Sequence, residues 1–331
     1  MENLLFTLNA ILPIILPILL GYGLKRLHFF SDIFLTEANK LVFKVLIPIL
    51  LFSNLYLADL TQINWAFVGY AALAIIVLFL IGMIVVIFIP NRKQKGVVLQ
   101  AAFRSNYAII GIPLATALGG AVAGAEASVV AAVSVPLFNI LAVVALSIYD
   151  HEEGQKISVK NILFKIVTNP LILGVFCGLV VCGITMGINS VPGNDVVGFL
   201  NEYLKFIPDT ISTLGKMATP LALIVLGGKF EFKAVKALWR QITVAVALRL
   251  VIAPTLFLII AYFLGFKGST QFAILIALFA SPIAVSSAPM AAQMGQDEEL
   301  AGQIVVWTSA LSAFSLFIII LICASMQIFV F

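Results

Sequence analysis

The chain has 331 residues, of which 62% are hydrophobic and 10% charged, with a mean hydropathy of +1.16; soluble domains average about 25% charged residues. Too few polar side chains exist to cover a water-facing surface, which excludes disordered and nucleic-acid-binding classes. The formal charge of +4 arises from 19 Lys and Arg against 15 Asp and Glu, set in short clusters between long apolar runs, a pattern that reports membrane topology rather than a polyanionic partner.

A helix needs about 20 apolar residues to cross a hydrocarbon core of about 30 Å. By that measure the chain predicts ten spans: 5–24, 37–57, 65–89, 97–119, 125–148, 162–187, 206–228, 241–264, 271–293 and 300–328. The first run has no Lys or Arg before Lys25 and contains Pro13 and Pro17, so it reads as a span and not as a cleaved signal. Apolar runs such as 71–89 lack the period-two alternation of barrel strands. The expectation is an all-α integral membrane protein.

Alternate connections place Lys25, Arg26, Arg92, Lys93, Lys95, Lys156, Lys160, Lys165, Lys229, Lys233, Lys236 and Arg240 on one side, and only Lys205 and Lys267 on the other. The positive-inside rule then puts the first side in the cytoplasm and both termini outside, in a multi-pass cell membrane protein. The acidic triplet Asp297, Glu298 and Glu299 falls on the cytoplasmic side, where acids weigh little. Trp65, Trp239 and Tyr149 mark span ends as aromatic belts do. Cys177, Cys182 and Cys323, with His28 and His151, offer no metal-ligand spacing and no disulfide framework, so neither a metal nor another cofactor is expected.

The halves 1–150 and 151–331 echo each other. Adding 172 to Glu37, Lys44, Pro48 and Asp59 gives Asp209, Lys216, Pro220 and Glu231. Adding 176 to Phe103, Ser105, Pro113, Val129, Val130 and Phe138 gives Phe279, Ser281, Pro289, Val305, Val306 and Phe314, and Pro17-x3-Gly21 is matched by Pro170-x3-Gly174. Five spans per half is an odd number, so the second copy enters the membrane inverted.

Spans 4 and 9 carry the features that suggest chemistry. One contains Arg104, Ser105, Asn106, Gly111 and Pro113; the other contains Ser281, Pro282, Ser286, Ser287 and Pro289. Proline lacks the N–H and disfavours helical dihedrals before it, so both helices are expected to break near mid-membrane. Unwound backbone at that depth must be buried in protein or line a watery cavity. With Pro113 and Pro289 at first helical positions, two half-helix N-termini would converge on an anion site. Pro13, Pro17, Pro48, Pro136, Pro170, Pro220 and Pro254 read as ordinary kinks.

Lys40, Lys44, Arg104, Lys216 and Arg249 lie within predicted spans, and no carboxylate lies near a span centre. The lysines sit where their stems can snorkel to the interface. Arg104 either draws an anion into an inner vestibule or satisfies carbonyls at the broken helix. Proton relays and sodium sites usually employ an intramembrane acid, which disfavours a proton antiporter. An anion leaving a negative-inside cell gains about 2.3 kcal/mol per charge per 100 mV, so export needs no coupled ion.

Asn106-x4-Gly111-Ile112-Pro113-Leu114, the string Leu46-Ile47-Pro48-Ile49-Leu50-Leu51-Phe52-Ser53-Asn54, and the segment from Ala280-Ser281-Pro282 to Ala301-x3-Val305 resemble the auxin efflux carrier family over nearly the whole chain. That family includes plant PIN auxin exporters and bacterial malonate and malate permeases, and the span 9 serines resemble the bacterial branch. The resemblance implies ten helices in two five-helix inverted repeats, with broken helices 4 and 9 crossing. It implies elevator-type alternating access, with a scaffold of helices 1, 2, 6 and 7, a transport domain of helices 3–5 and 8–10, and a homodimer. It also implies organic anion binding near the crossover, where Asn106, Gly111, Pro113, Pro282 and Pro289 match the family pattern and Asn54 faces it from the scaffold. The long cytoplasmic loop of many plant members is lacking, so their phosphorylation control does not transfer.

The sequence thus reads as a secondary carrier of a small organic anion, a mono- or dicarboxylate, with a sodium-coupled importer of the same architecture and a non-transporting ligand sensor as alternatives. An intramembrane enzyme is not expected, since no catalytic cluster lies in the spans.

Overall fold

The structure, a computed structural model, describes residues 2–56, 64–150, 159–191, 195–326 and 328. Asp59, His151, Lys156 and most of the linker between the halves lie outside these residues. Among the described residues the chain is helical throughout, with one isolated β-bridge and no strand. Six segments are continuous, long and apolar enough to cross a membrane: Trp65–Phe88, Tyr107–Ile148, Pro170–Asn189, Phe206–Gly228, Val235–Phe263 and Glu298–Cys323.

The helices in chain order are α1 (Glu2–Arg26), α2 (Asp32–Leu41), α3 (Ile47–Ser53), α4 (Trp65–Val85), α5 (Arg92–Phe103) and α6 (Ile112–Ile148). They continue as α7 (Val159–Val167), α8 (Pro170–Asn189), α9 (Val196–Tyr203), α10 (Phe206–Gly228) and α11 (Phe232–Ala247). The last are α12 (Ala253–Phe263), α13 (Ser269–Ala280), α14 (Ser287–Gln293) and α15 (Glu298–Ser325). Predicted spans 4 and 9 are therefore each divided, the first between α5 and the helix that begins at Tyr107, the second between α13 and α14, while span 2 runs on from α2 into α3 through a π-helical turn.

Three prolines share one local solution. π-helical turns at Val42–Leu46, Tyr107–Gly111 and Leu248–Ile252 end two residues before Pro48, Pro113 and Pro254. A proline removes one i→i−4 hydrogen bond and crowds the carbonyl four residues back, and a widened preceding turn absorbs both effects. Pro113 is thus a kink of the same kind as Pro48 and Pro254. It does not begin the half-helix, contrary to expectation; helical backbone already starts at Tyr107, and the true break is at residues 104–106. Nor does a loop separate predicted spans 4 and 5. Instead the run Ile112–Ile148 is two helices that meet at a kink at Gly120 (φ 75°, ψ −172°), where the expected boundary between the two spans falls and where a side chain would be strained.

Glycines bring helices to backbone contact in α1, α8 and α10. A Cβ at Gly21 would stand 2.0 Å from the Ile224 carbonyl oxygen, and one at Gly227 would stand 1.9 Å from that of Ile18, so α1 and α10 approach each other at two matched points. On the other side of α10, Gly215 meets Leu50 of α3, while Gly174 and Gly178 of α8 meet Pro48 and Phe52. Small residues let membrane helices gain close van der Waals contact where lipid offers no hydrophobic drive for association.

A second group packs around α13, whose residues 272–280 are all buried. α6, α12 and α15 pack against it, and α11 and α5 join the group through α15 and α6. Long apolar side chains on the outer faces, such as Leu80 and Ile84 of α4, Phe88 just after it, and Phe314 and Leu321 of α15, are exposed. This inside-out distribution suits a chain solvated by lipid. The most deeply enclosed backbone is that of the two interrupted helices.

Candidate functional site

The interruptions at 104–106 and 281–286 lie against each other. Ser105 and Ile283 form an antiparallel β-bridge, and the Asn106 N–H donates to the Pro282 carbonyl at 2.9 Å. Two segments that have left helical geometry thereby satisfy part of each other's backbone. Arg249, fully buried on the π-helical turn before α12, satisfies more. Its Nε donates to the Ser281 carbonyl at 2.7 Å, Nη2 to that of Leu278 at 2.7 Å, and Nη1 to that of Phe103 at 3.3 Å. These carbonyls belong to the C-terminal ends of α5 and α13, which carry partial negative charge. The carbonyl-satisfying role offered for Arg104 therefore belongs to Arg249, which the sequence identified only as an intramembrane cation.

Arg104 points elsewhere. It is 2% exposed, with Nη1 donating to Gln100 Oε1 at 2.6 Å and Met290 Sδ at 3.0 Å. Nη2 donates to Asn139 Oδ1 and Ser286 Oγ, each at 2.9 Å. Every partner is neutral, and among the described residues no carboxylate pairs with this guanidinium. Of its five N–H donors, these bonds occupy four, and Nε–H is left over.

A cleft with an empty volume of about 560 Å³ opens beside this side chain. One wall is the crossover and α6, with Arg104, Ser105, Asn106, Ser286 and Asn139. The facing wall is α3 and α10, with Ile47, Leu50 and Leu51, then Ala218, Thr219 and Ala222. Asn54, the C-cap of α3, stands at its edge.

Asn106 is the N-cap residue of the helix that begins at Tyr107. In the same position, Asn64, Asn91 and Asn169 accept from backbone N–H groups of α4, α5 and α8. Asn106 makes no such bond, and its buried Nδ2 has no partner. Among the described residues the N–H groups of Tyr107, Ala108 and Ile109 also lack acceptors, and Ala108 and Ile109 line the cleft. An uncapped helix start beside a buried guanidinium attracts negative charge.

The predicted site residues divide accordingly. Asn54, Arg104, Asn106 and Ser286 line the cleft. Gly111, Pro113, Ser281, Pro282, Ser287 and Pro289 do not line it. Ser281 and Pro282 serve through their carbonyls, as above, and the Ser281 hydroxyl donates to Ala277. Gly111 allows close approach, since a Cβ there would stand 3.0 Å from the Ala277 carbonyl oxygen. Ser287 is buried beyond the cleft, and Pro289 is the third residue of α14, facing a second opening. The helix that begins at Tyr107 starts beside the cleft, whereas α14 has seven residues and its Pro289 lines the second opening. Asn139 and Thr219 were missed; lone polar side chains in apolar runs were the available signal.

The second opening is far larger, with an empty volume of about 3030 Å³, and lies at the basic end of the bundle. Lys25, Arg26 and Lys229 line it, with Lys25 paired to Asp32 and Lys229 to Glu298, both at 2.6 Å. Ala222 borders both this opening and the cleft.

A multi-pass helical bundle, with a cleft at paired helix breaks and a wide opening that shares Ala222 with it, has the architecture of a membrane transport protein. Residues 6–320 match the family model described as membrane transport protein, the auxin efflux carrier family, and the chain belongs to that family. A relative described as an uncharacterized transporter, from Methanothermobacter thermautotrophicus, is 27% identical over 316 residues, covering 93% of this chain and 95% of that protein.

Proposed function

We propose that this transporter carries a small organic anion across the cell membrane, binding its carboxylate in the cleft at the helix crossover. The observation that carries this reading is the Arg104 guanidinium, buried in the cleft wall with only neutral partners. Burying a cation without a counter-ion is costly, and an arriving carboxylate removes that cost. The unpartnered Asn106 amide and the N–H groups of Ala108 and Ile109 are placed to share the remaining lone pairs.

The movement fits an elevator. In this reading α1, α3, α8 and α10 form the scaffold, and α4–α6 with α11–α15 form the part that moves. The cleft lies between these groups, and the anion is held almost wholly by the moving side. The inverted-repeat arrangement is supported by reciprocal contacts. Gly21 of α1 approaches Ile224 of α10 as Gly174 of α8 approaches Pro48 of α3, with Pro48 and Pro220 at matched positions of the two halves. Both termini lie outside in this reading, so the basic mouth opens to the cytoplasm. The conformation is then inward-facing, its entrance lined by Lys25, Arg26 and Lys229 together with Asp32, Glu231, Glu298 and Glu299.

The test is counterflow of radiolabelled short carboxylates in proteoliposomes, with sodium present and absent and with an imposed potential. Exchange that is saturable, sodium-independent and abolished by Arg104→Gln supports the reading. No exchange with any carboxylate rejects it.

A further inference from the structure

We infer that the cleft selects a monocarboxylate with a short apolar body and rejects dicarboxylates. This rests on the carrier reading above and goes beyond it, because that reading requires only one carboxylate and leaves the rest of the substrate open.

The polarity of the cleft is one-sided. Its cation and most of its strong hydrogen-bonding groups, Arg104, Asn106, Asn139 and Ser286, are on the crossover and α6. The facing wall presents Ile47, Leu50, Leu51, Ala218 and Ala222, relieved only by the neutral Thr219 and, at the edge, Asn54. Cations exist on those same helical stretches, but Lys44 and Lys216 are exposed and do not line the cleft. One carboxylate therefore finds a guanidinium Nε–H, an amide and helix-start N–H groups. A second would be pressed against aliphatic side chains with no counter-ion, keeping its full desolvation cost. At neutral pH both groups of a dicarboxylic acid are ionised, so the penalty cannot be avoided by protonation at little cost. A hydrocarbon body has the opposite preference and gains by covering Leu50 and Leu51. The room inside the cleft for the centres of water-sized groups is only about 60 Å³, where one water needs about 10 to 15 Å³, so the apolar body is short.

The experiment is a thermal-shift titration of the purified protein in nanodiscs at neutral pH with isovalerate and with succinate, run in parallel with counterflow of each. The expected result is that succinate requires at least about tenfold more ligand for half-maximal shift. Thr219→Lys, which places a cation on the facing wall, is expected to narrow or invert that ratio, and Asn54→Lys serves if the first variant does not fold. Succinate equal to or better than isovalerate in the wild type overturns the inference while leaving the carrier reading intact. A ratio unchanged in a folded lysine variant also overturns it. If neither compound shifts the melting or exchanges but another carboxylate does, the inference falls and the carrier reading stands; failure of every carboxylate tested rejects that reading.

Discussion

The N–H of Asn106 donates to the carbonyl of Pro282 at 2.9 Å, joining residues 176 positions apart at the point where both helices have lost their own ladders. Each interruption would otherwise leave polar backbone orphaned inside apolar surroundings. The β-bridge of Ser105 with Ile283 extends the same solution by one step. Because this bonding occupies the Asn106 main chain and leaves its side-chain amide unpartnered, backbone repair and ligand recognition are divided between two parts of one residue.

Arg249 is expected to be indispensable for folding. Arg249→Met leaves the carbonyls of Phe103, Leu278 and Ser281 without their donor, and each buried acceptor left unsatisfied costs about 1 to 3 kcal/mol. Size-exclusion profiles of detergent-solubilised protein should show loss of the monodisperse peak. Arg249→Lys, which keeps the charge but not the forked geometry, should restore only part of it.

Arg104 should behave in the opposite way. Its partners are neutral, so Arg104→Gln removes an uncompensated buried charge and strands no opposite one. The ligand-free protein is expected to melt at or above the wild-type temperature, while the shift produced by a carboxylate is lost. A variant that melts well below wild type would show the guanidinium to be chiefly structural.

Glycine substitutions should separate contact from propensity. Gly21→Ala and Gly227→Ala drive a Cβ to 2.0 Å and 1.9 Å from carbonyl oxygens of the neighbouring helix, and such overpacking costs about 1 to 3 kcal/mol. Gly183→Ala, in α8 with nothing within 4 Å, should be neutral or stabilising by up to about 1 kcal/mol. Thermal melting of the purified variants gives the comparison directly.

Ser286 lines the cleft and is partly accessible. In a background with the exposed Cys177 replaced by Ser, Ser286→Cys should react with a membrane-impermeant thiol reagent applied to the basic side of oriented vesicles. A bound carboxylate should slow the reaction. Equal reaction from both sides, or no protection by any carboxylate, would argue against the cleft as the binding position.

Much of this molecule is legible without coordinates. Composition and run length decide that the chain is a helical membrane bundle, because lipid admits no unpaired backbone and few charges. The serine-rich and proline-rich segments of spans 4 and 9 mark the breaks, because proline and small hydroxylated residues weaken a helix locally wherever it sits. What local rules could not decide is how each weakness is resolved. The strain at Pro113 is absorbed by the π-helical turn Tyr107–Gly111 before it, and the opening moves back to residues 104–106, since Pro282, Ile283 and Arg249 arrive from distant sequence to accept or supply the missing bonds. The division of roles between Arg104 and Arg249 has the same origin. Both are single arginines in apolar helices, and only packing determines that one meets the carbonyl ends of α5 and α13 while the other meets a cleft.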